Sequence, residues 1–398
     1  MRRCLRPVSL FAVVLVLLIA GLSASEPDTR MLAKGNTKFA LDLYGELRTQ
    51  SGNLFVSPYS ISSVLALTYA GARGSTATQM ADVLNFTPED ESLHTAFAAI
   101  TSALEARAKA GESDLSVANA LWGQKGKEFL DEFVDLNKEH YGAGLEQVDF
   151  LNDTENARKT INTWVAKETR NRINDLLKQG SLSPSTKLAL TNIIHFRGDW
   201  AIEFDKDKTE PRDFWVEPDS SVTVQMMRRR GEYNYNEMES LKALELPYAD
   251  SSFSMIVLLP KERDGLAELE RSLTPMVFER WLGLMRARTV IAELPGFTIR
   301  SDFQLDEVLM AMGMTDAFYP GLADFSGMTG GRELFIGAVI HDASLEVNEK
   351  GSEAAAGTAV EVKKKYPVVR MDRPFMFVIR DNDSGSILFM GRVADPTR

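Results

Sequence analysis

The residues whose types and spacing could do chemistry lie near the C-terminal end of the 398-residue chain, between Glu349 and Pro367. Lys363, Lys364 and Lys365 form an unbroken run ahead of Tyr366 and Pro367. The chemistry such a run offers is that of a substrate, since a protease could reach these lysines. Upstream, Ser352, Ala354, Ala356, Thr358, Val360 and Val362 share one face at period two. Glu353, Ala355, Gly357, Ala359, Glu361 and Lys363 share the other. The first face is small or apolar throughout, and the second carries the charges, as in a strand buried on one side only. Yet the start of the segment is rich in glycine and alanine, which form strands poorly. Two readings fit: a loop that changes state, and an edge strand guarded by lysines against aggregation.

Elsewhere the chemistry is silent. No Gly-x-Ser-x-Gly, Ser-x-x-Lys, His-Glu-x-x-His or Walker motif occurs. Gly142 to Gln147 nearly makes a dinucleotide fingerprint but lacks the third glycine and reads as a turn. The four histidines, His94, His140, His195 and His341, are scattered, and without cysteine partners they indicate no metal site. The expectation is a protein that is not an enzyme and holds no cofactor or metal.

The elements that must position the segment are legible from periodicity. Ala77, Met80, Ala81 and Leu84 recur at helical spacing, as do Leu305, Val308, Leu309 and Met312, which end at Gly313. Ser57-Pro58 reads as a helix cap followed by a first-turn proline. Met255 to Leu259 reads as a buried strand, and Phe375–Ile379 with Ile387–Met390 as a hairpin around Asp381 to Gly385. Helices dominate the first half and strands the second, so the class is α+β. With no linker or repeat, one domain is expected.

Arg2, Arg3 and Arg6, an apolar run from Leu10 to Leu22, and small residues Ser23 to Ser25 follow the secretory pattern. Residues 1–25 are expected to be a signal peptide and 26–398 the folded domain, either secreted (extracellular or periplasmic) or membrane-anchored if the signal is retained. No other stretch is apolar enough to span a bilayer. The sole cysteine, Cys4, lies in that leader, so the mature chain has no disulfide and relies on packing. The net charge of −11 repels phosphate backbones and anionic lipids, which excludes nucleic acid and membrane as expected partners. No dense basic helix offers itself to heparin-like polyanions. Sequons occur at Asn85, Asn152 and Asn382.

Motifs in one order resemble the serpin family over nearly the whole mature chain. They are Asn53 to Ile61, Gly71 to Thr76, Asn192 to Trp200, Leu294-Pro295-Gly296-Phe297 (with Gly296 where lysine is usual), Ala323 to Gly327, Glu346 to Gly351, Arg373-Pro374-Phe375 and Leu388 to Val393. The resemblance implies three β-sheets, eight or nine helices and an exposed reactive-centre loop at about residues 350–373. It implies a monomeric inhibitor acting as a covalent suicide substrate of a serine protease. The loop, once cut, inserts into the large sheet. Counted from Gly351, the family register puts the reactive bond at Lys365-Tyr366, with Lys364 and Lys363 as alternatives. Trypsin-like or subtilisin-like targets follow. The hinge would be Glu349, Lys350, Gly351, Ser352, Glu353, Ala354, Ala355, Ala356, Gly357 and Thr358. Ser57, Ser60, Asn192 and His341 would form the polar cluster where the sheet parts, with Trp200 where the loop enters. Ser352 to Lys365, extended, reach roughly 46 Å, nearly across such a body. A carrier or chaperone that no longer inhibits is the alternative.

Overall fold

The computed structural model describes residues 29–87, 92–109, 113–142, 145–249, 251–350 and 365–398. The expected signal segment, hinge residues Gly351 to Thr358, and Lys363 and Lys364 lie outside these residues. The helices are α1 (Thr29–Leu47), α2 (Pro58–Tyr69), α3 (Gly74–Leu84), α4 (Leu93–Lys109), α5 (Asp131–Tyr141), α6 (Thr154–Glu168), α7 (Leu266–Ser272), α8 (Pro275–Leu284), α9 (Asp306–Ala311) and α10 (Ser326–Thr329). The resemblance implied eight or nine helices, and the described residues hold ten; α10 is a single turn.

Local sequence accounts for the element ends. Ser57 is extended and its hydroxyl accepts from the Ser60 N–H at 3.3 Å, while Pro58 fills the first turn of α2. Every residue of α2 from Pro58 to Thr68 is buried, so this helix runs through the core rather than along its surface. The apolar stripe of α3 ends at Asn85, whose φ of 55° supplies the left-handed cap. In the C-terminal hairpin, Gly385 takes φ 81° and donates to the Asp381 carbonyl at 2.9 Å.

The strands are β1 (Leu54–Val56), β2 (Ser113–Gln124), β3 (Leu145–Val148), β4 (Leu188–Gly198), β5 (Glu210–Glu217), β6 (Ser220–Glu237), β7 (Leu241–Pro247), β8 (Phe253–Pro260), β9 (Arg286–Pro295), β10 (Phe297–Gln304), β11 (Ile336–Val347), β12 (Val368–Arg370), β13 (Phe375–Asp381) and β14 (Ile387–Val393). One sheet has five strands in the order β10-β11-β4-β2-β3. The other joins β1-β14-β13-β8-β7-β6-β9-β12, with β5 beside β6. Three sheets were implied, but the ladders among the described residues close into two. The cause is β6: its 18 residues pair with β5 and β9 along most of their length and with β7 at their end, fusing two sheets into one.

The period of two sorts the five-stranded sheet between two cores. Leu190, Ile194 and Phe196 of β4 face the main core, which holds α1, α2 and the nine-stranded sheet. Ala189 and Ile193 face a smaller core with Ile161 and Val165 of α6. Among the described residues no helix is long and apolar enough to cross a membrane.

Candidate functional site

The middle of the five-stranded sheet is a parallel seam. β11 lies against β4 from Ile336 opposite Leu188 to Leu345 opposite Phe196. Their outer neighbours, β10 and β2, run antiparallel to them. A strand following β11 through a tight return would run antiparallel to both seam strands, and antiparallel pairing is slightly stronger per residue. This sheet holds two parallel pairs, β4 with β11 and β2 with β3, and only the first adjoins the end of β11, so it is there that the chain after β11 could add a strand and improve both ladders.

On the inner face of the seam, four polar side chains meet at zero to 1% exposure: Ser57, Ser60, Asn192 and His341. The Ser57 backbone N–H donates to His341 Nε2 at 3.1 Å. That nitrogen must be a lone-pair acceptor, so Nδ1 carries the proton and donates to Asn192 Oδ1 at 2.5 Å. Asn192 Nδ2 donates in turn to Ser60 Oγ at 2.5 Å and to Asn119 Oδ1 on β2. Ser57 Oγ donates to the Leu388 carbonyl of β14 at 2.7 Å. The chain of bonds ties β2, β4, β11, the start of α2 and β14 together across the seam. On the other face, His195 Nδ1 bonds Ser344 Oγ across the seam at 2.8 Å. Asp342, 1% exposed, is held by the Arg300 guanidinium at 2.7 Å.

At the top of the seam the chain leaving β11 is pinned. Trp200 Nε1 donates to the Asn348 carbonyl at 2.8 Å and its backbone N–H to the Lys350 carbonyl at 2.9 Å. Its indole stacks on Tyr248 at 4.6 Å and 8°. The Phe204 N–H donates to the Glu349 carbonyl at 2.9 Å, and Thr209 Oγ1 to Glu349 Oε1 at 3.1 Å. The far end of the segment is fixed to the other sheet. Lys365 is exposed, Tyr366 lies under the Arg230 guanidinium at 5.4 Å, and the Ile291 N–H donates to the Pro367 carbonyl at 2.9 Å.

A parallel seam that a new strand would complete, with the chain pinned at Asn348 to Lys350 and again at Tyr366 and Pro367, is the geometry the sequence motifs implied, and the profile of the Serpin (serine protease inhibitor) family matches residues 34–396. The chain belongs to the serpin family. Human Serpin B3 is 38% identical over 390 residues, covering 92% of this serpin and 99% of that protein. Human leukocyte elastase inhibitor is 38% identical over 382 residues with the same coverage. The structure of uncleaved ovalbumin aligns with a TM-score of 0.85 at 31% identity over 92% of this serpin and all of that chain. A maspin structure aligns at 0.86 and 27%, covering 93% of this serpin and all of that chain. As a serpin, the protein belongs with inhibitors of serine proteases rather than with the proteases.

The structure brings Ser57, Ser60, Asn192 and His341 together and sets Trp200 against Asn348 and Lys350, well apart from that cluster in the register of β4. Sequence reasoning missed Asn119, Phe204, Thr209, Tyr248, His195 and Ser344. Asn119 left a signal, being an amide in the otherwise strand-forming run Leu115 to Trp122. His195 was set aside as scattered. His94 and His140, also set aside, stack at 6.1 Å between α4 and α5, and the described residues give them no third metal ligand.

Burial pushes the His341 imidazole down from 6.5 to about 3, and burial beside His140 pushes His94 to about 4. Protonating His341 would set an N–H against the Ser57 N–H. Between pH 6.5 and 3 the unfolded chain binds a proton that the native one refuses, so the stability this group supports is complete above pH 6.5 and lost as pH falls. The loss is about 1.4 kcal/mol per pH unit. Spontaneous loss of the native form is expected to be on the order of tenfold faster at pH 5 than at pH 7.5. The acceleration should survive in His94→Phe and flatten in His341→Gln; an unchanged pH dependence in His341→Gln would assign the acid step elsewhere.

Proposed function

We propose that this serpin is a secreted, covalent suicide-substrate inhibitor of a trypsin-like or subtilisin-like serine protease. Residues 1–25 are its signal peptide, residues 26–398 its inhibitory domain and residues 350–373 its bait. The protease serine oxygen attacks the Lys365 carbonyl. The Lys365-Tyr366 bond breaks, Tyr366 leaves as a new amino terminus taking up the proton, and Lys365 remains as an ester on the protease. The freed strand then enters the seam before water completes hydrolysis and carries the protease across the body. Its oxyanion donors lose their alignment there, and deacylation stalls.

The observation that carries this reading is the parallel pairing of β4 with β11. The pinned root at Trp200 supports it, because Asn348 to Lys350 are held where an antiparallel return into the seam must begin. The exposure of Lys365, beside a Tyr366 anchored on its other side, supports a cut at that bond, with Lys364 and Lys363 as the alternatives. A strand that moves as a whole needs both a slot and a fixed start, and a mere edge strand needs neither.

The test is incubation of the mature protein with trypsin, read on a denaturing gel with mass spectrometry of the released peptide. A stable covalent band and a peptide beginning at Tyr366 are expected. Quantitative cleavage with no band, by trypsin and by a subtilisin-like protease alike, would replace this reading with that of a serpin acting as a carrier or chaperone.

A further inference from the structure

The protein is acidic overall, at −11, yet the surface beside Lys365 is basic. Arg228 and Arg230 are exposed and stand two residues apart on one side of β6, about 7 Å from each other by strand rise. Arg370 of β12 flanks Arg228, while Arg212 of β5 lies further back, opposite Val224. Glu293, 3% exposed, is shared by Arg228 at 3.3 Å and by Arg370. Arg212 pairs with Glu210. Arg230 and Lys365 have no carboxylate within ion-pair distance among the described residues, and the surface ends at exposed Glu232. Two arginines on one buried carboxylate, plus two cations with no carboxylate partner among the described residues, outweigh Asp372 and Glu210 near Arg370 and leave a local positive excess on a negative molecule.

Its position gives it a partner. A docked protein covers about 800 Å² per partner, a disc of roughly 16 Å radius. A protease seated on Lys365-Tyr366 must lie over Arg230, whose guanidinium sits 5.4 Å from the Tyr366 ring, and over Arg228 beside it. The residues after the bond are laid along β9 by the Ile291–Pro367 hydrogen bond, so these arginines meet the rim of the cleft that receives the leaving side of the substrate.

We infer that Arg228 and Arg230 are a docking surface for the target protease and select one whose leaving-side rim is acidic. This rests on the inhibitory reading above. Such a rim is repelled by the body and attracted only here, so the charges orient the encounter as well as hasten it.

Two trypsins serve as probes, one unaltered and one with glutamates introduced on that rim. Association rate constants are measured for the full mature chain, for Arg230→Glu and for Arg228→Gln, the second sparing Glu293 a like charge. Melting temperatures certify each fold. The parent is expected to capture the acidic-rimmed trypsin about tenfold faster, with the preference shrinking at high salt. Both variants should bring the ratio toward one. Equal rates for the parent, or a preference that survives in both variants, would overturn the assignment. So would acceleration by heparin lost in the same variants with no rim preference, since the surface would then serve a polyanion. Repeating the comparison with trypsins whose catalytic serine is alanine, read as non-covalent affinity, separates the two ideas. A rim preference without covalent trapping removes the trap and leaves the docking surface; trapping without the preference does the reverse.

Discussion

Cut once after Lys365 and freed of protease, the protein is expected to melt on the order of 10 °C or more above the uncut form. The rise follows from the seam. β4 and β11 face each other along Leu188 to Phe196 and Ile336 to Leu345, and an inserted strand replaces that one ladder with two. Each net hydrogen bond contributes on the order of 1 kcal/mol. Val360 and Val362, on the inward face of the segment, add about 1.5–3 kcal/mol each on burial. The entropy of ordering the strand offsets part of this gain. A chain of this length melts with an entropy of about 0.8 kcal/mol per kelvin, so a rise of about 10 °C corresponds to about 8 kcal/mol of net stabilisation. The native form is then held by a barrier rather than by depth, and the hydrogen-bonded chain from Asn119 through His341 to Leu388 is part of that barrier. Calorimetry of cut and uncut protein decides it. Coincident melts would mean that the strand stays out and that the seam is an ordinary parallel pair.

The elements were legible where one physical rule governed them. Ser57-Pro58 announced α2, Met255 to Leu259 announced β8, and the Asp381–Gly385 turn announced the last hairpin, because caps, runs and turns are written in adjacent residues. What lay between distant residues was not written there. That β6 fuses two sheets depends on pairing with β9 some 60 residues on, and nothing in its own alternation states a partner. The site divides in the same way. Family motifs carried Ser57, Ser60, Asn192, His341 and Trp200, and the structure supplied their hydrogen-bond order and hence the tautomer of His341. Thr209, Tyr248 and Ser344 came only from the fold, since a threonine, a tyrosine or a serine in a strand is unremarkable until its neighbour across the sheet is known. The Arg228-Arg229-Arg230 run drew no reading from the sequence, because its place beside Tyr366 is set only by the fold. Arg229 proves half-buried and turned to the Ile202 carbonyl, so only its two neighbours face outward.

Ala354→Pro and Ser352→Arg should each convert the inhibitor into a substrate. Insertion places every second residue of the segment, Ser352, Ala354, Ala356 and Thr358 first, against the core side of the seam, where Ile194, Phe196, Ala343 and Leu345 are at most 3% exposed. A proline there lacks the N–H that one ladder needs, and the buried carbonyl left without a donor costs about 1–3 kcal/mol. A guanidinium there enters a site with no carboxylate among those neighbours and costs several kcal/mol. Neither change touches Lys365 or the surface that meets the protease, so acylation proceeds at its normal rate. Only the race between insertion and hydrolysis shifts, and 3 kcal/mol on the insertion barrier slows it by roughly 10²-fold. The covalent band on a denaturing gel is expected to fall to a trace, while the cleaved chain appears at the rate of any good substrate. Control substitutions on the wet face, Glu353→Gln and Ala355→Ser, should leave the band intact. That contrast ties the effect to the face and not to the loop, since a loop that merely offered a bond would treat both faces alike. Full complex yield from both inward variants would mean that the strand does not enter the seam as far as Ser352 and Ala354, and the trap would need another source of force.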